Sequence, residues 1–336
     1  MKLNNRRIYL RRFFCCAEIS PALVIMGLIN ALSFQVLAAD RIESVKIGYL
    51  PMVSSLTYFV AVEKGYFLDE RLQVDASSIK SSDGLAQELV SNHIDMAVEL
   101  SITPLLDKIG SSGPQFEIFS TSKIEDSSAF DGVFVKSNST IMSMADLSGK
   151  KVAVFPGTTA MVCFQSVFSR VITNAAMPKF DNQIKPADQL NAIMKGDVDA
   201  VHAYEPILTI GVERFGLRRI FGSIYAAQLS PNPIGVAALN KKFVSERPKV
   251  AARLLRAMDN AVQFIHGNPE DARAILAKYT GAELGTASKM HIMPMSASFE
   301  KDNINLNQYL TILRKLNLYR LSWDADVLCT KIEAAK

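Results

Sequence analysis

The segment from Pro156 to Thr159 carries residue types that can hold an anion. It follows a predicted strand, 151–155, and opens a predicted helix. The first N–H groups of a helix have no partner within the helix, and the two threonine hydroxyls lie beside them. Gly157, Thr158 and Thr159 are therefore candidate contacts for a sulfonate, a carboxylate or another polar group. The alternative is a plain helix cap in which Gly157 only makes the turn.

Other predicted strand ends supply further candidates. Tyr49 and Pro51 follow the first strand, where Tyr49 either contacts a ligand or is a rim aromatic. Tyr204 can stack on a flat ligand or cover an alkyl chain, whereas Glu205 can bind a ligand or only complement the start of the next helix. The remaining candidates are Ser81, Ser82, Asp83, Ser101 and Thr103. Asp83 is expected to cap its helix, and one of Ser101 and Thr103 is expected to cap the next.

The charges at these strand ends are acidic. Asp83, Glu99 and Glu205 lie in or near the loops, and no Arg or Lys does so clearly. A binder of nitrate or of a free sulfonate would then depend on backbone amides. The pattern favours a ligand with an amine or a nitrogen ring.

Several classes of function are disfavoured by composition. Without residues 1–39, totals of 37 basic and 33 acidic residues fall to 32 each, so charge gives no argument for nucleic acid as a partner. The four histidines show no metal-ligand spacing, and no cofactor or metal is predicted. No order of serine, histidine and acid predicts a catalytic triad. Cys163 and Cys329 lie far apart, and we expect two buried thiols in different lobes.

The first 39 residues predict a cleavable signal peptide. Five Lys and Arg residues precede a mostly apolar run, 19–37, and small residues follow at Ala38 and Ala39. This order is typical of secretion. Arg11 and Arg12, followed by two phenylalanines, are also similar to a twin-arginine export signal. An uncleaved anchor is the alternative, because nineteen residues can just span a bilayer.

Strand and helix patterns alternate along the rest of the chain. Strands are predicted at 44–49, 72–78, 94–98, 116–121, 151–155, 198–201, 217–221 and 234–239. Helical spacing is found at 56–62, 83–90, 102–109, 187–195 and 247–266. From there to the end of the chain, helices dominate. This alternation predicts mostly parallel sheets flanked by helices. About 297 residues exceed what one core usually needs, so two lobes are expected.

Several segments together resemble a known family. They are 47–51, 62–67, 94–97, 146–154, 198–200 with Glu205-Pro206, and 240–278. In this order they are similar to the periplasmic substrate-binding proteins of ABC importers, in the branch that binds sulfonates, taurine, nitrate and thiamine precursors. The resemblance covers most of residues 41–280, and it is less specific for the ligand than for the family.

The resemblance implies a fold and a role. The fold is an α/β clamshell of the periplasmic-binding-protein type, each lobe a mostly parallel sheet flanked by helices. Lobe one would comprise 40–131 plus 233–336, and lobe two 132–232. A small molecule would bind in the cleft by hinge closure, and the exported, periplasmic protein would be a monomer that docks on a membrane permease.

Two other functions remain open at this point. One is an enzyme on the same fold, such as a pyrimidine synthase-like or chorismate dehydratase-like protein, which a signal peptide disfavours because such enzymes are expected in the cytoplasm. The other is a periplasmic sensor that binds ligand without transport, which the sequence does not separate from an importer receptor. A non-enzymatic receptor is the leading hypothesis.

Overall fold

The computed structural model describes residues 41–128, 130–172, 176–298, 300 and 302–332. The predicted signal peptide lies outside this part of the chain. Residues from Glu43 onward form one unit, which contains two five-stranded sheets. We call the part built around the first sheet the first lobe and the part built around the second sheet the second lobe.

The strands of both sheets follow one another along the chain. They are β1 (Glu43–Tyr49), β2 (Leu72–Ser78), β3 (Met96–Ser101), β4 (Phe116–Thr121), β5 (Asp131–Val135), β6 (Lys151–Ala153), β7 (Lys179–Asp181), β8 (Ala200–Tyr204), β9 (Arg218–Phe221) and β10 (Gly235–Asn240). The order is β2-β1-β3-β10-β4 in the first sheet and β7-β6-β8-β5-β9 in the second.

The helices pack on these sheets. They are α1 (Leu56–Glu63), α2 (Tyr66–Asp69), α3 (Ser82–Val90), α4 (Ile102–Leu106), α5 (Thr158–Val171), α6 (Pro186–Lys195), α7 (Ile207–Phe215), α8 (Lys241–Glu246), α9 (Pro248–Gly267), α10 (Pro269–Thr280), α11 (Leu284–Ala287), α12 (Asn303–Lys315) and α13 (Ala325–Leu328). In the described ranges, none of them combines the length and the apolar character that a membrane crossing needs.

One strand in each sheet is reversed. β10 is antiparallel to β3 and β4, and β5 is antiparallel to β8 and β9, whereas the other pairings are parallel. The chain enters the second sheet as β5 and returns to the first as β10. A strand that arrives from the other lobe starts at the edge where the two lobes meet and runs away from it, while the other strands of the sheet run toward that edge. The carboxyl ends of those other strands therefore face the junction of the lobes, where open α/β sheets bind ligands.

Apolar periodicity accounts for the long helix of the first lobe. The apolar spacing places Val250, Leu254, Met258, Ala261 and Ile265 on one face of α9; Val250 is half-buried and the other four are buried. This face packs across α1, and burying a leucine-sized side chain stabilises the fold by about 1.5–3 kcal/mol. The apolar core continues from the first lobe into the second, so the two lobes are in contact.

The structure confirms the α/β two-lobed fold and corrects several details. β5 lies where the sequence leads us to expect a short strand-like crossing between the lobes, near Gly132, and β7 was not predicted. α4 ends at Leu106 rather than 109 because the chain turns there. Pro206 is the N-cap of α7. Cys163 is buried as expected, but Cys329 is only half-buried.

Candidate functional site

Hydroxyl groups from both lobes meet where the strands end. The backbone N–H of Ser101 donates to Oγ of Ser82 at 3.1 Å, and the hydroxyls of Ser101 and Thr103 lie 3.4 Å apart. The Thr159 hydroxyl donates to Oγ1 of Thr103 at 3.0 Å. Thr103 lies in the first turn of α4 in the first lobe, and Thr159 lies in the first turn of α5 in the second. We name Ser82, Ser101, Thr103 and Thr159 the hydroxyl chain, and it links predicted site residues of both lobes.

The first turn of α5 adds unpaired backbone donors to the hydroxyl chain. Gly157 is the N-cap, and no side chain caps the helix there. Its φ of 108° is a conformation that favours glycine. A Cβ at this position would meet nothing within 4 Å, so the space in front of the helix is open. Thr158 beside it is exposed, whereas Thr159 is half-buried.

The cap of α3 differs from the prediction. Ser81, not Asp83, is the N-cap, and its Oγ accepts from the backbone N–H of Gly84 at 3.1 Å. The helix starts at Ser82, so Asp83 falls inside its first turn, where a carboxylate still complements the helix dipole. Asp83 forms an ion pair with Lys108 at 3.0 Å. Lys108 is therefore a cation at this edge that the sequence argument missed.

The first-strand candidates lie apart from the contacts of the hydroxyl chain. Tyr49 is half-buried and stacks on Tyr58 with ring centroids 4.8 Å apart. Tyr58 is buried. Pro51 is exposed. Neither Tyr49 nor Pro51 has a described hydrogen bond to the hydroxyl chain.

The second-lobe candidates Tyr204 and Glu205 are buried among other side chains. The Tyr204 hydroxyl lies 2.6 Å from that of Tyr225. Glu205 is 1% exposed, and its carboxylate accepts from the Thr209 N–H at 3.1 Å and from the Thr209 hydroxyl at 2.8 Å. Glu205 therefore complements the start of α7, which was one of its two predicted roles. Burial raises the pKa of Glu205.

A segment of the first lobe holds the second lobe through charged contacts. The backbone N–H of His291 donates to Oε1 of Glu205 at 3.0 Å. Arg214 and Glu283 form an ion pair at 2.8 Å, and Lys289 pairs with Glu213. We name this segment, 283–291, the strap. Its contacts to α7 are a second link between the lobes, besides the hydroxyl chain.

A buried polar cluster in the second lobe does not have the geometry of a catalytic triad. His202 and Ser223 both contact the carboxylate of Asp131. Nε2 of His202 lies 2.8 Å from Oδ2, and the Ser223 hydroxyl donates to Oδ1. A triad needs the serine on the imidazole instead. All three residues are fully buried. The cluster anchors the chain before it returns to the first lobe, because the Ile224 N–H also donates to Asp131 at 2.8 Å.

Comparison with known proteins places the chain in a family. The model of the NMT1/THI5-like family matches residues 53–272, which is more than half of the chain. The chain belongs to the NMT1/THI5-like family. The matched range includes the hydroxyl chain and the whole second sheet, and the resemblance predicted from the sequence is confirmed at the level of the family.

Individual relatives agree with this assignment. A Bacillus subtilis (strain 168) protein that bears the name of an aliphatic sulfonates-binding protein is 25% identical over 226 residues. The match covers 66% of this chain and 65% of that protein, so the chain spans slightly less than two thirds of the relative's length.

Solved structures share the fold. The periplasmic aliphatic sulphonate-binding protein SsuA from Escherichia coli superposes with a TM-score of 0.70 at 16% identity, over 87% of this chain and 94% of that one. A ligand-binding component of an ABC-type import system from Staphylococcus aureus, solved with zinc bound, gives 0.68 at 13% identity, over 87% and 100%. Among the described residues of this chain, no group of three or more His, Cys, Asp or Glu side chains could hold a metal ion.

Glu99 is the residue whose environment departs most from its predicted place in a cleft loop. It lies in β3, is 3% exposed, and one carboxyl oxygen, Oε2, has no hydrogen-bond partner. Its φ of 40° is unusual for a residue with a side chain. The sequence marked Glu99 as an acid near the cleft, but no local signal indicates that the side chain turns inward.

Proposed function

We propose that this protein is an exported solute-binding receptor of an ABC importer. It binds a small organic ligand that contains a sulfonate, an amine or a nitrogen ring, and it does so between its lobes by hinge closure. The single observation that carries the proposal is the hydrogen bond between Thr159 and Thr103, which joins helix starts of opposite lobes at the strand ends. The lobes would be 40–131 plus 233–336 and 132–232.

The hydroxyl chain suits a charged oxygen-rich group. Its hydroxyls can turn to donate to a ligand, and the free N–H groups of α5 add the positive end of a helix dipole. The sulfonate named for the Bacillus relative is one such group. Closing the lobes around it would remove water, which strengthens each of these hydrogen bonds.

The proposed role involves no chemical step. Burial raises the pKa of the Cys163 thiol to about 12, so the thiol remains protonated and is a poor nucleophile. The Asp131 cluster is buried and has the wrong geometry for a serine nucleophile. The receptor would act in the periplasm as a monomer and deliver its ligand to a membrane permease, as the import-system neighbour's name suggests.

A ligand screen tests the proposal. We expect at least one compound among alkylsulfonates, taurine, nitrate and aminopyrimidines to raise the melting temperature. At a hundredfold excess of ligand over Kd, binding adds about 2.7 kcal/mol to the free energy of unfolding. Isothermal titration with that compound should then show an affinity about tenfold or more lower for Thr159→Val, because a hydrogen bond to a charged group contributes about 1.5–3 kcal/mol.

The matched control is Thr311→Val. Thr311 is exposed on α12 and bonds only to the carbonyl of Asn307 within its own helix, so its loss should leave affinity unchanged. A flat response to the whole panel, an unchanged affinity in Thr159→Val, or conversion of the bound compound detected by mass spectrometry would contradict the proposal.

A further inference from the structure

A small cavity lies inside the first lobe. Its volume is about 10 Å³, close to the room one water molecule needs. The residues around it come from α1, β3, β4, β10, α9 and the chain after the strap. They are Thr57, Val98, Glu99, Phe119, Ser120, Ala237, Met258, Asp259, Val262, Met295 and Ser296.

Glu99 lines this cavity with a carboxyl group that lacks a counter-charge. None of the described lining residues is basic, and the other titratable one, Asp259, is occupied by the N–H and hydroxyl of Ser298, both at 2.6 Å. Oε2 of Glu99 accepts no hydrogen bond. A buried acid without a partner costs free energy, so the arrangement needs a reason outside the packing of the lobe.

The fold is shaped to admit this carboxyl group. A Cβ at Gly235 would lie 1.7 Å from Oε1 of Glu99, so any larger residue at the start of β10 would displace this carboxyl group. Glu99 itself has a φ of 40°, and backbone strain of this kind persists where the surroundings enforce it and is common at ligand sites. Gly235 is also where the chain returns from the second lobe and pairs with Ser101.

The cavity and the hydroxyl chain are close enough for one small ligand to reach both. Glu99 and Ser101 are two residues apart on β3, and Ser101 pairs with Gly235, whose Cβ position lies against the Glu99 carboxyl group. An ammonium group is about the size of a water molecule, which matches the cavity. It would also supply the positive charge and the N–H donors that the Glu99 carboxylate lacks.

We infer that Glu99 is a specificity-determining residue, which binds a protonated amine of the ligand while the hydroxyl chain holds the ligand's acidic group. This inference rests on the proposed function and adds the second half of the ligand. Binding would ionise Glu99: the carboxyl releases its proton to solvent, and the resulting carboxylate accepts hydrogen bonds from the ammonium group, which keeps its own protons.

The test compares taurine with ethanesulfonate, which differ only in the amine. Isothermal titration of the wild-type chain should give taurine at least a tenfold lower Kd than ethanesulfonate, and Glu99→Gln should abolish that preference. Glu117→Gln, which removes an acid on β4 of the same sheet that does not line the cavity, should keep the preference. The titrations are repeated in two buffers of different ionisation enthalpy, at a pH below the raised pKa of Glu99. Binding of taurine should then release about one proton from the protein, and binding of ethanesulfonate should release none.

Each outcome decides the inference. Equal affinities of wild type for both compounds, or equal losses for both in Glu99→Gln, overturn the role of Glu99 and leave the proposed function standing. Taurine binding without proton release overturns it even if Glu99→Gln fails to fold. If neither compound binds, the role of Glu99 is overturned together with the sulfonate part of the proposed function.

Discussion

At the level of single residues, Glu99 shows how burial controls a charge. Burial raises the pKa of its carboxyl group well above the usual value, because no nearby charge favours the ionised form. The folded chain therefore keeps Glu99 protonated over a pH range in which the unfolded chain, with a carboxyl pKa of about 4.3, is ionised. The folded state binds one more proton in this range, so its stability falls as pH rises.

Glu99→Gln removes this pH dependence. Between the unfolded and the folded pKa, the wild type should lose up to about 1.4 kcal/mol of unfolding free energy per pH unit that the variant does not lose. Urea denaturation at pH 4 and pH 7 should show that the unfolding free energy of the variant, relative to that of the wild type, is higher at pH 7 than at pH 4. Thr57→Val, which changes the same cavity without a titratable group, should differ from the wild type equally at both values. If Glu99→Gln also differed from the wild type equally at both pH values, Glu99 would not be buried and protonated in the folded protein.

The residue scale also shows what sequence reasoning can reach. It selected Ser82, Ser101, Thr103 and Thr159 because hydroxyls at strand ends are a local pattern. It could not show that Thr159 reaches Thr103, since the two lie 56 positions apart in different lobes. The inward turn of Glu99 depends in the same way on the distant Gly235.

At the level of elements, local patterns predicted the strands better than their directions. The bounds of β2 and β4 agree with the prediction, 72–78 and 116–121. β5 was expected only as a strand-like crossing near Gly132 because five residues carry little periodicity, although all of them are buried. The reversal of β5 and β10 follows from which lobe the chain comes from, and that information is not local.

The start of α5 depends on Gly157. Replacement by alanine would force a Cβ into a backbone region that is nearly restricted to glycine, at a cost of about 1–3 kcal/mol. The surrounding space is open, so the whole cost would come from the backbone. We expect Gly157→Ala to lower the unfolding free energy by this amount in urea titrations.

The control for this element is Gly267→Ala. Gly267 ends α9 and also has open space at the Cβ position, but it lies in ordinary helical structure, where alanine is favoured by up to about 1 kcal/mol. Its replacement should be neutral or stabilising. A loss of stability as large as that of Gly157→Ala would show that the conformation of Gly157 is not the cause.

At the level of the whole molecule, the contacts between the lobes describe a closed form. The core is continuous between the sheets, and the cavity that Glu99 lines has room for about one water molecule. In the proposed receptor, a ligand would therefore enter by separation of the lobes. Opening would break the Thr159–Thr103 hydrogen bond and the contacts between the strap and α7. Each exposed ion pair among these contacts contributes only about 0.2–1 kcal/mol. Such links can hold the closed form and still release it.

The most direct test of the central claim is a crystal structure of the protein with the tightest-binding compound of the ligand screen. The account predicts an unaltered compound enclosed between the lobes, with an acidic oxygen about 3 Å from the Thr159 hydroxyl and from Oγ1 of Thr103. A compound bound on the outer surface, with the hydroxyl chain unchanged, would contradict the account, as would a chemically converted product between the lobes.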